Sequence, residues 1–138
     1  MALNYYFGYD GNGRVGRRTT GLRPPFGGSN RLMFITHRTP KYTECDEVSM
    51  AIQGGCSWIQ LRMKEASDTQ AEEVARQALA LCRAAGAVFI IDDRVDVAIA
   101  CDAAGVHVGA SDLPVAVCRR LLGPDKIVGA TAKTVEAA

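Results

Sequence analysis

The stretch CSWIQLRMK, residues 56–64, says more about the fold than any other part of the chain. It opens with an apolar run that is typical of a buried strand. Alternate residues of a strand point the same way, so Gln60, Arg62 and Lys64 are expected to share one side. Buried charge is costly unless it is paired, and a phosphate would satisfy both cations. Ordinary surface cations at a solvated strand end would give the same pattern.

Three further apolar runs also end in polar side chains. These are 88–91 before Asp92 and Asp93, 105–109 before Asp112, and 126–130 before Thr131. In folds built from parallel strands, the chemistry collects at the C-terminal edge of the sheet. Cations together with several carboxylates suit a pyrophosphate bridged to Mg²⁺, because substrate phosphates complete the metal's oxygen shell.

The pattern around these runs predicts alternating strands and helices. Strands are expected at 32–36, 57–61, 87–91, 105–108 and 126–130, and helices at 45–53, 68–85, 94–102 and 114–122, with another beginning at Thr134. Ser67 and Gln70 predict a capping box for the helix at 68–85, and Gly86 predicts its end. This alternation is typical of a parallel sheet covered by helices, with about five β/α units and no antiparallel strand.

Residues 1–31 differ from residues 32–138 and are predicted to be a flexible tail rich in Gly, Arg and aromatic residues. They carry five Arg and one Asp. The GxGxxG match at 11–16 needs a strand before it and a helix after it, and no helix is predicted there, so it is interpreted as a chance match. Such a tail could stack on single-stranded nucleic acid, but one short segment supports this weakly.

The composition of the 138-residue chain is that of a soluble globular protein, with 48% hydrophobic and 22% charged residues. A net charge of +1 favours neither nucleic acid nor a membrane as partner. The sequence has no apolar run long enough to span a bilayer and no recognisable signal peptide. Five unclustered cysteines favour a reducing cytoplasm, where they would serve as buried thiols.

From residue 32 to the end, the chain resembles the thiamine phosphate synthase family. The motifs that carry the resemblance are, in order, ITHR, GG-x-x-x-IQLR-x-K, IIDDRVDVA, GVHVG-x-x-DLP and LGPDKIVGATAKT. The resemblance implies a (β/α)₈ TIM barrel, here truncated to about five units. It also implies a Mg²⁺-dependent transferase that joins 4-amino-2-methyl-5-hydroxymethylpyrimidine diphosphate to 4-methyl-5-(2-phosphoethyl)thiazole. The products would be thiamine phosphate and pyrophosphate.

The resemblance also implies roles for individual residues. The implied substrate-binding residues are Gln60, Leu61, Arg62, Met63, Lys64, Asp92 and Thr131, and the implied Mg²⁺ ligands are Asp93 and Asp112. No catalytic nucleophile is assigned. Three positions depart from the family pattern: Asp92 replaces the usual asparagine, His37 a common carboxylate and Lys133 a common histidine. His107 is interpreted as structural because it lies within a strand.

Length is the main difference from the family. A complete barrel needs about 250 residues, and a sheet of five parallel strands leaves two open edges that favour homo-oligomers or a partner chain. A fragment of a longer protein is the preferred interpretation, with activity at this length left open. The alternatives are a thiazole tautomerase-like relative and a non-catalytic half-barrel that acts as a binding or assembly module.

Overall fold

The computed structural model describes residues 3–9 and 15–18, in backbone only, and residues 32–137. Within these ranges lie seven strands: β1 (Leu3–Tyr9), β2 (Val15–Arg18), β3 (Phe34–Ile35), β4 (Trp58–Leu61), β5 (Val88–Asp92), β6 (Gly105–Val108) and β7 (Ile127–Ala132). The same ranges contain four helices: α1 (Glu44–Gln53), α2 (Asp68–Ala85), α3 (Val95–Cys101) and α4 (Val115–Leu122).

The seven strands form one sheet in the order β2-β1-β7-β6-β5-β4-β3. Strands β3 to β7 are parallel and follow one another in chain order. Crossovers between parallel neighbours keep one handedness, so a sheet wound in a single direction carries all its helices on one face. This is the arrangement of a barrel wall, and it confirms the prediction of five parallel strands that alternate with helices.

The main core lies between the sheet and the helices. Alternate strand residues such as Ile59, Leu61, Phe89 and Ile91 point into it and are at most 1% exposed. The strands pack against small side chains on α2, which let the helix backbone come close to the sheet. These fully buried residues are Ala71, Ala75, Ala78 and Cys82. Helix α2 packs between α1 and α3 and is the centre of the helical layer.

The helix α2 has the bounds that its sequence predicts. The Ser67 side chain accepts from the backbone N–H of Gln70, and the Gln70 side chain accepts from the backbone N–H of Ser67. Gly86 ends the helix in the left-handed region, with φ 67°. A second capping box, between Thr43 and Asp46, begins α1 and was not predicted.

The opposite face of the sheet carries a smaller apolar cluster. It centres on Ile90 and Ile127, against which Trp58 and Val88 pack. Gly105 of β6 is opposite Ile127 of β7, and a Cβ at this glycine would lie 2.0 Å from the Ile127 carbonyl oxygen. The two strands can pair in this register only because residue 105 has no side chain.

The structure corrects the prediction for the N-terminal segment. Leu3–Tyr9 and Val15–Arg18 pair as an antiparallel hairpin, and β1 also pairs antiparallel with β7. The prediction of no antiparallel strand is therefore wrong for these eleven residues, while the flexibility of the tail stays a prediction. The GxGxxG match runs into strand β2 where the dinucleotide fingerprint needs a helix, which agrees with a chance match. The rest of residues 1–31 lies outside the described residues, and the domain boundary after residue 31 stays a prediction.

The C-terminal helix predicted from Thr134 is also corrected. Residues 133–137 form bends and a turn. In the ranges that the structure describes, no helix combines the length and hydropathy needed to cross a membrane.

Substituting Gly105→Ala is expected to destabilise the protein by at least about 2 kcal/mol, because the new methyl group would force the β6 and β7 backbones apart. Urea unfolding followed by circular dichroism measures the loss. The matched control is Gly54→Ala, since a Cβ there would meet its nearest atoms at an ordinary 3.4 Å. Equal losses in both variants would contradict the close approach at residue 105.

Substituting Tyr6→Pro is expected to make the protein self-associate. Strand β1 lies between β2 and β7, so its backbone is bonded on both sides, and a proline there removes a ladder hydrogen bond. Release of β1 would expose the edge of β7. Light scattering during size-exclusion chromatography measures the mass, and Val135→Pro, at a residue 84% exposed, is the proline control. A monomeric Tyr6→Pro variant would contradict a protective role of the hairpin.

Candidate functional site

Thr36 joins the ends of the first two parallel strands. Its backbone N–H donates to the carbonyl of Gln60 at 3.0 Å, and its hydroxyl accepts from the backbone N–H of Arg62 at 2.9 Å. The same hydroxyl lies 3.3 Å from the carbonyl of Arg62, to which it donates. Thr36 has no exposed surface, so these bonds are shielded from water. They fix the backbone of Arg62 just beyond the end of β4.

The Arg62 side chain meets the connection between β3 and α1. Its Nη1 lies 3.3 Å from Nδ1 of His37. Because a guanidinium only donates, the imidazole nitrogen is the acceptor. The backbone N–H of His37 in turn donates to Oε2 of Glu47 on α1, at 2.7 Å. Arg62 is thus anchored through its backbone by Thr36 and through its side chain by His37.

Gln60 and Asp92 form a polar pair on the face of the sheet opposite the helices. Gln60 is 2% exposed, and its Nε2 donates to Oδ1 of Asp92 at 3.0 Å. Oε1 of Gln60 is buried and has no hydrogen-bond partner among the described residues. Burial raises the pKa of Asp92, and this rise is opposed by His107 when it is protonated and by the charges of Lys64 and Arg62.

Asp93 begins the connection from β5 to α3 in the left-handed region, with φ 67°. Its backbone N–H donates to the carbonyl of His107 at 2.7 Å, and its own carbonyl accepts from the N–H of Val95 at 3.0 Å. Short polar side chains tolerate this conformation better than others. The turn brings the Asp93 carboxyl to the C-terminal edge of the sheet.

Asp112 reaches the same edge from the connection after β6. Its Oδ2 accepts from the backbone N–H of Gly109 at 2.7 Å. A hydrogen bond to Asp112, then burial and the charges of Asp112 and Asp92, raise the pKa of Asp93 to about 6. Burial alone would raise the pKa of Asp112 as well, but the hydrogen bonds from Asp93 and Gly109 hold it below the usual value. Below about pH 6, the two carboxyl groups therefore share one proton when no cation lies between them.

A second buried pair lies beside the carboxyl groups. Nε2 of His107 is 2.8 Å from the hydroxyl of Thr131, and burial lowers the pKa of His107 although Asp92 and Asp112 oppose this. The imidazole is therefore held neutral at physiological pH. His107 of β6 is in register with Asp92 of β5, and both continue the polar row that Gln60 begins.

Lys64 lies between this edge and an open groove. Its charge lowers the pKa of all three aspartates, which places its ammonium group near them. The groove has a volume of about 590 Å³ and runs from the β3–α1 connection to the start of α2. Its charged and polar lining residues are His37, Arg38, Glu44, Arg62, Lys64, Glu65, Gln70 and Glu73.

The structure brings most of the predicted site residues to one edge of the sheet. Leu61 and Met63 are the exceptions, because their side chains are at most 6% exposed and lie in the main core. A ligand could reach only the backbone of these two residues. Ile59, Leu61 and Met63 point into the core while residues 60, 62 and 64 do not, so the predicted alternation continues past the end of β4.

The sequence does not reveal that Thr36 and His37 belong to the candidate site, and it indicates only a structural role for His107. In the sequence, Thr36 marks only the end of a strand and His37 only a departure from the family pattern, because their contacts with Arg62 span 26 and 25 residues. His107, interpreted as structural, is indeed buried, yet it borders the polar row between Asp92 and Thr131. In the sequence of β6, Gly105 and His107 alternate with apolar residues. This alternation is the one signal that predicts His107 on the sheet face of the polar row.

The residues at this edge fit a magnesium ion better than a metal held entirely by protein. Across the described part of the chain, no group of three or more His, Cys, Asp or Glu could hold a metal. Mg²⁺ usually takes one or two carboxylates and completes its shell with waters and substrate phosphates. Asp93 and Asp112 have the required chemistry, because the carboxylate of Asp112 raises the pKa of Asp93 and a cation between them would relieve this repulsion.

Comparison with known proteins gives one consistent family. The family model described as Thiamine monophosphate synthase matches residues 32–138. The thiamine-phosphate synthase of Bacteroides fragilis is 48% identical over 76% of this chain and 52% of its own length. The chloroplastic thiamine biosynthetic bifunctional enzyme TH1 of Arabidopsis thaliana is 52% identical over 67% of this chain and 18% of its own.

A solved structure agrees with the sequence comparison. The thiamine phosphate pyrophosphorylase of Pyrococcus furiosus superposes with a TM-score of 0.65 at 38% identity, covering 70% of this chain and 46% of that protein. The chain spans about half the length of the Bacteroides relatives that it matches.

Substituting Asp93→Asn is expected to stabilise the metal-free protein at pH 7 but not at about pH 4. The pKa of Asp93 in the fold, about 6, lies above its ordinary value of 3.8, so its protonated form stabilises the fold at low pH. That stabilisation is lost as the pH rises through 6. After allowance for solvent screening, the gain at pH 7 should be about 1 kcal/mol.

Urea unfolding at both pH values, with a chelator present, measures this difference. Asparagine tolerates the left-handed conformation at residue 93, so the turn is kept. The control is Asp125→Asn, at an exposed carboxylate in the turn before β7. A stability difference between wild type and Asp93→Asn that does not change with pH would contradict the shared proton.

Proposed function

The chain belongs to the thiamine monophosphate synthase family, and we propose on this premise that residues 32–138 carry the diphosphate- and magnesium-binding part of such an enzyme. The proposed reaction joins the pyrimidine, supplied as its diphosphate ester, to the thiazole phosphate, with loss of pyrophosphate. Because the chain matches about half of its bacterial relatives, this activity is proposed for a protein that contains this segment.

One observation supports the proposal above all others: cations and a carboxylate pair face the same edge of the sheet. Arg62 and Lys64 come from the connection after β4, and their charges act on the half-buried Asp92. Asp93 and Asp112 come from the next two connections and share a proton. A diphosphate with a divalent cation would match both the cations and the carboxylates. Its oxygens would accept hydrogen bonds from Arg62 and Lys64, and the metal would bind the carboxylates of Asp93 and Asp112.

Mg²⁺, held by Asp93 and Asp112, would supply a positive charge that stabilises the departing diphosphate. The protein's own part is to place donors around that anion in advance. Arg62 offers several N–H donors to phosphate oxygens, and Lys64 adds a mobile point charge. Such preorganised charge is usually the largest contribution to reactions in which an anion leaves.

The buried polar row has a separate task in this proposal. The side-chain N–H of Gln60 donates to Asp92, whereas its side-chain oxygen has no hydrogen-bond partner among the described residues. A buried acceptor without a partner is costly, so a ligand donor would stabilise it. The neutral His107 holds the hydroxyl of Thr131 in a fixed direction next to this row. These residues would orient the ligand, while Arg62 and Lys64 would neutralise its charge.

The cysteines and the sheet edges support proposals for the compartment and the assembly state. All five cysteines are free thiols, and three of them are buried, which supports the prediction of a reducing cytoplasm. The hairpin occupies one of the two sheet edges that were expected to be open. Self-association is thus proposed only through the other edge, where β3 contributes two paired residues.

Isothermal titration with the pyrimidine diphosphate, with and without Mg²⁺, tests the proposed site. Binding is expected to need Mg²⁺, and Arg62→Ala is expected to weaken it roughly 10- to 100-fold, the usual cost of a lost hydrogen bond to a charged group. The matched control is Arg120→Ala, which removes an exposed arginine from the last turn of α4.

Three other results would point elsewhere. Binding that is equally strong without Mg²⁺ would reject the roles of Asp93 and Asp112. Absence of binding by the folded protein would favour the non-catalytic half-barrel. Tautomerisation of a thiazole carboxylate phosphate without added pyrimidine would favour the tautomerase-like relative.

A further inference from the structure

The contact between His37 and Arg62 exists in only one protonation state of the histidine. Nδ1 of His37 lies 3.3 Å from Nη1 of Arg62, which always donates. Nδ1 can accept only while the imidazole is neutral with its proton on Nε2. A protonated imidazole would place a second donor and a second positive charge against the guanidinium.

From this geometry we propose that His37 is a positioning residue for Arg62: its neutral imidazole aims the guanidinium at the bound diphosphate, and its protonation releases the guanidinium and weakens diphosphate binding. The inference rests on the proposed function, because it assumes that Arg62 binds the diphosphate. It gives a role to a residue that the sequence marks only as a departure from the family pattern.

The place of His37 is imposed by the fold. Its neighbour Thr36 is fully buried and bonded to the backbone of both Gln60 and Arg62. Its own backbone N–H donates to Glu47 of α1 at 2.7 Å. The imidazole therefore comes from a segment tied to β4 on one side and to α1 on the other, although the residue itself is exposed.

A neutral partner suits an arginine that must bind an anion. Within residues 32–137, no carboxylate forms an ion pair with Arg62. A carboxylate would orient the guanidinium but would also cancel the charge that attracts a phosphate. Imidazole orients one N–H and leaves the charge and four further donors available.

Other charged groups surround His37 and bear on its protonation. Helix α1 presents Glu44 and Glu47, and Arg38 of the same connection forms an ion pair with Glu44 at 2.9 Å. The remaining charged residues that line the shared groove are Arg62, Lys64 and Glu65 after β4 and Glu73 on α2. Since Glu44 is already paired with Arg38 and Glu47 is bonded to the His37 backbone, Arg62 is the group whose contact with the ring must change on protonation.

The test compares wild type with His37→Asn and His37→Ala. The Asn side-chain oxygen stands close to the place of Nδ1 and accepts at every pH, whereas alanine removes the acceptor. Binding of inorganic pyrophosphate in excess Mg²⁺ is measured by calorimetry from pH 8 to about pH 5.5, the range in which histidines titrate. Protonation of pyrophosphate and of the aspartates affects all three proteins alike, so the ratio of their dissociation constants isolates residue 37.

Wild type and His37→Asn are expected to bind alike at pH 8. At about pH 5.5 wild type should bind several-fold more weakly than His37→Asn. His37→Ala should be weaker than His37→Asn throughout the range, by a factor that does not change with pH. The midpoint of thermal unfolding is also measured for the three proteins, because a merely structural role of His37 would change it. The three midpoints should not follow the order of the binding affinities.

Two results would overturn the proposal, and they differ. If wild type binds pyrophosphate and its ratio to His37→Asn is constant with pH, His37 does not control Arg62, while the proposed site stands. If none of the three proteins binds pyrophosphate at any pH, the proposed function fails and the role of His37 fails with it.

Discussion

The parallel register of β3 to β7 is the constraint on which the rest of the structure depends. It sends alternate residues of every strand to the helical layer and brings the ends of all five strands to one edge. Gln60, Asp92 and His107 meet there because their strands are neighbours in register, although they lie far apart in the sequence. A shift of one residue in any strand would turn its polar group into the apolar core.

The fold was predictable because its signals are local. Helix α2 has a capping box, a regular row of small residues and a terminal glycine, and the structure has the predicted bounds from Asp68 to Ala85. Strands β4 to β6 are mostly apolar runs, as buried parallel strands should be. The N-terminal hairpin had no such signal, since Leu3–Tyr9 gains its place by pairing with β7, at the other end of the sequence.

The candidate site was predictable as a set of residues but not as a set of contacts. The alternation in 60–64 separated polar from core positions correctly, and the resemblance supplied the two carboxylates that are proposed as metal ligands. Neither source could show that Thr36 holds the backbone of Arg62, because that contact depends on the register of β3 against β4. Nor could they show that Leu61 and Met63 are buried under the helices, since a motif lists residues without the direction of their side chains.

The hairpin covers the outer edge of β7, the last of the five described parallel strands. A parallel neighbour would need a crossover connection that covers the sheet, whereas an antiparallel strand pairs without a helix of its own. Strand β1 opposes five consecutive residues of β7, from Val128 to Ala132, and so satisfies its outer edge up to and beyond Thr131. The segment furthest from the family pattern thus supports the strand that carries Thr131 and, through Thr131, the orientation of His107.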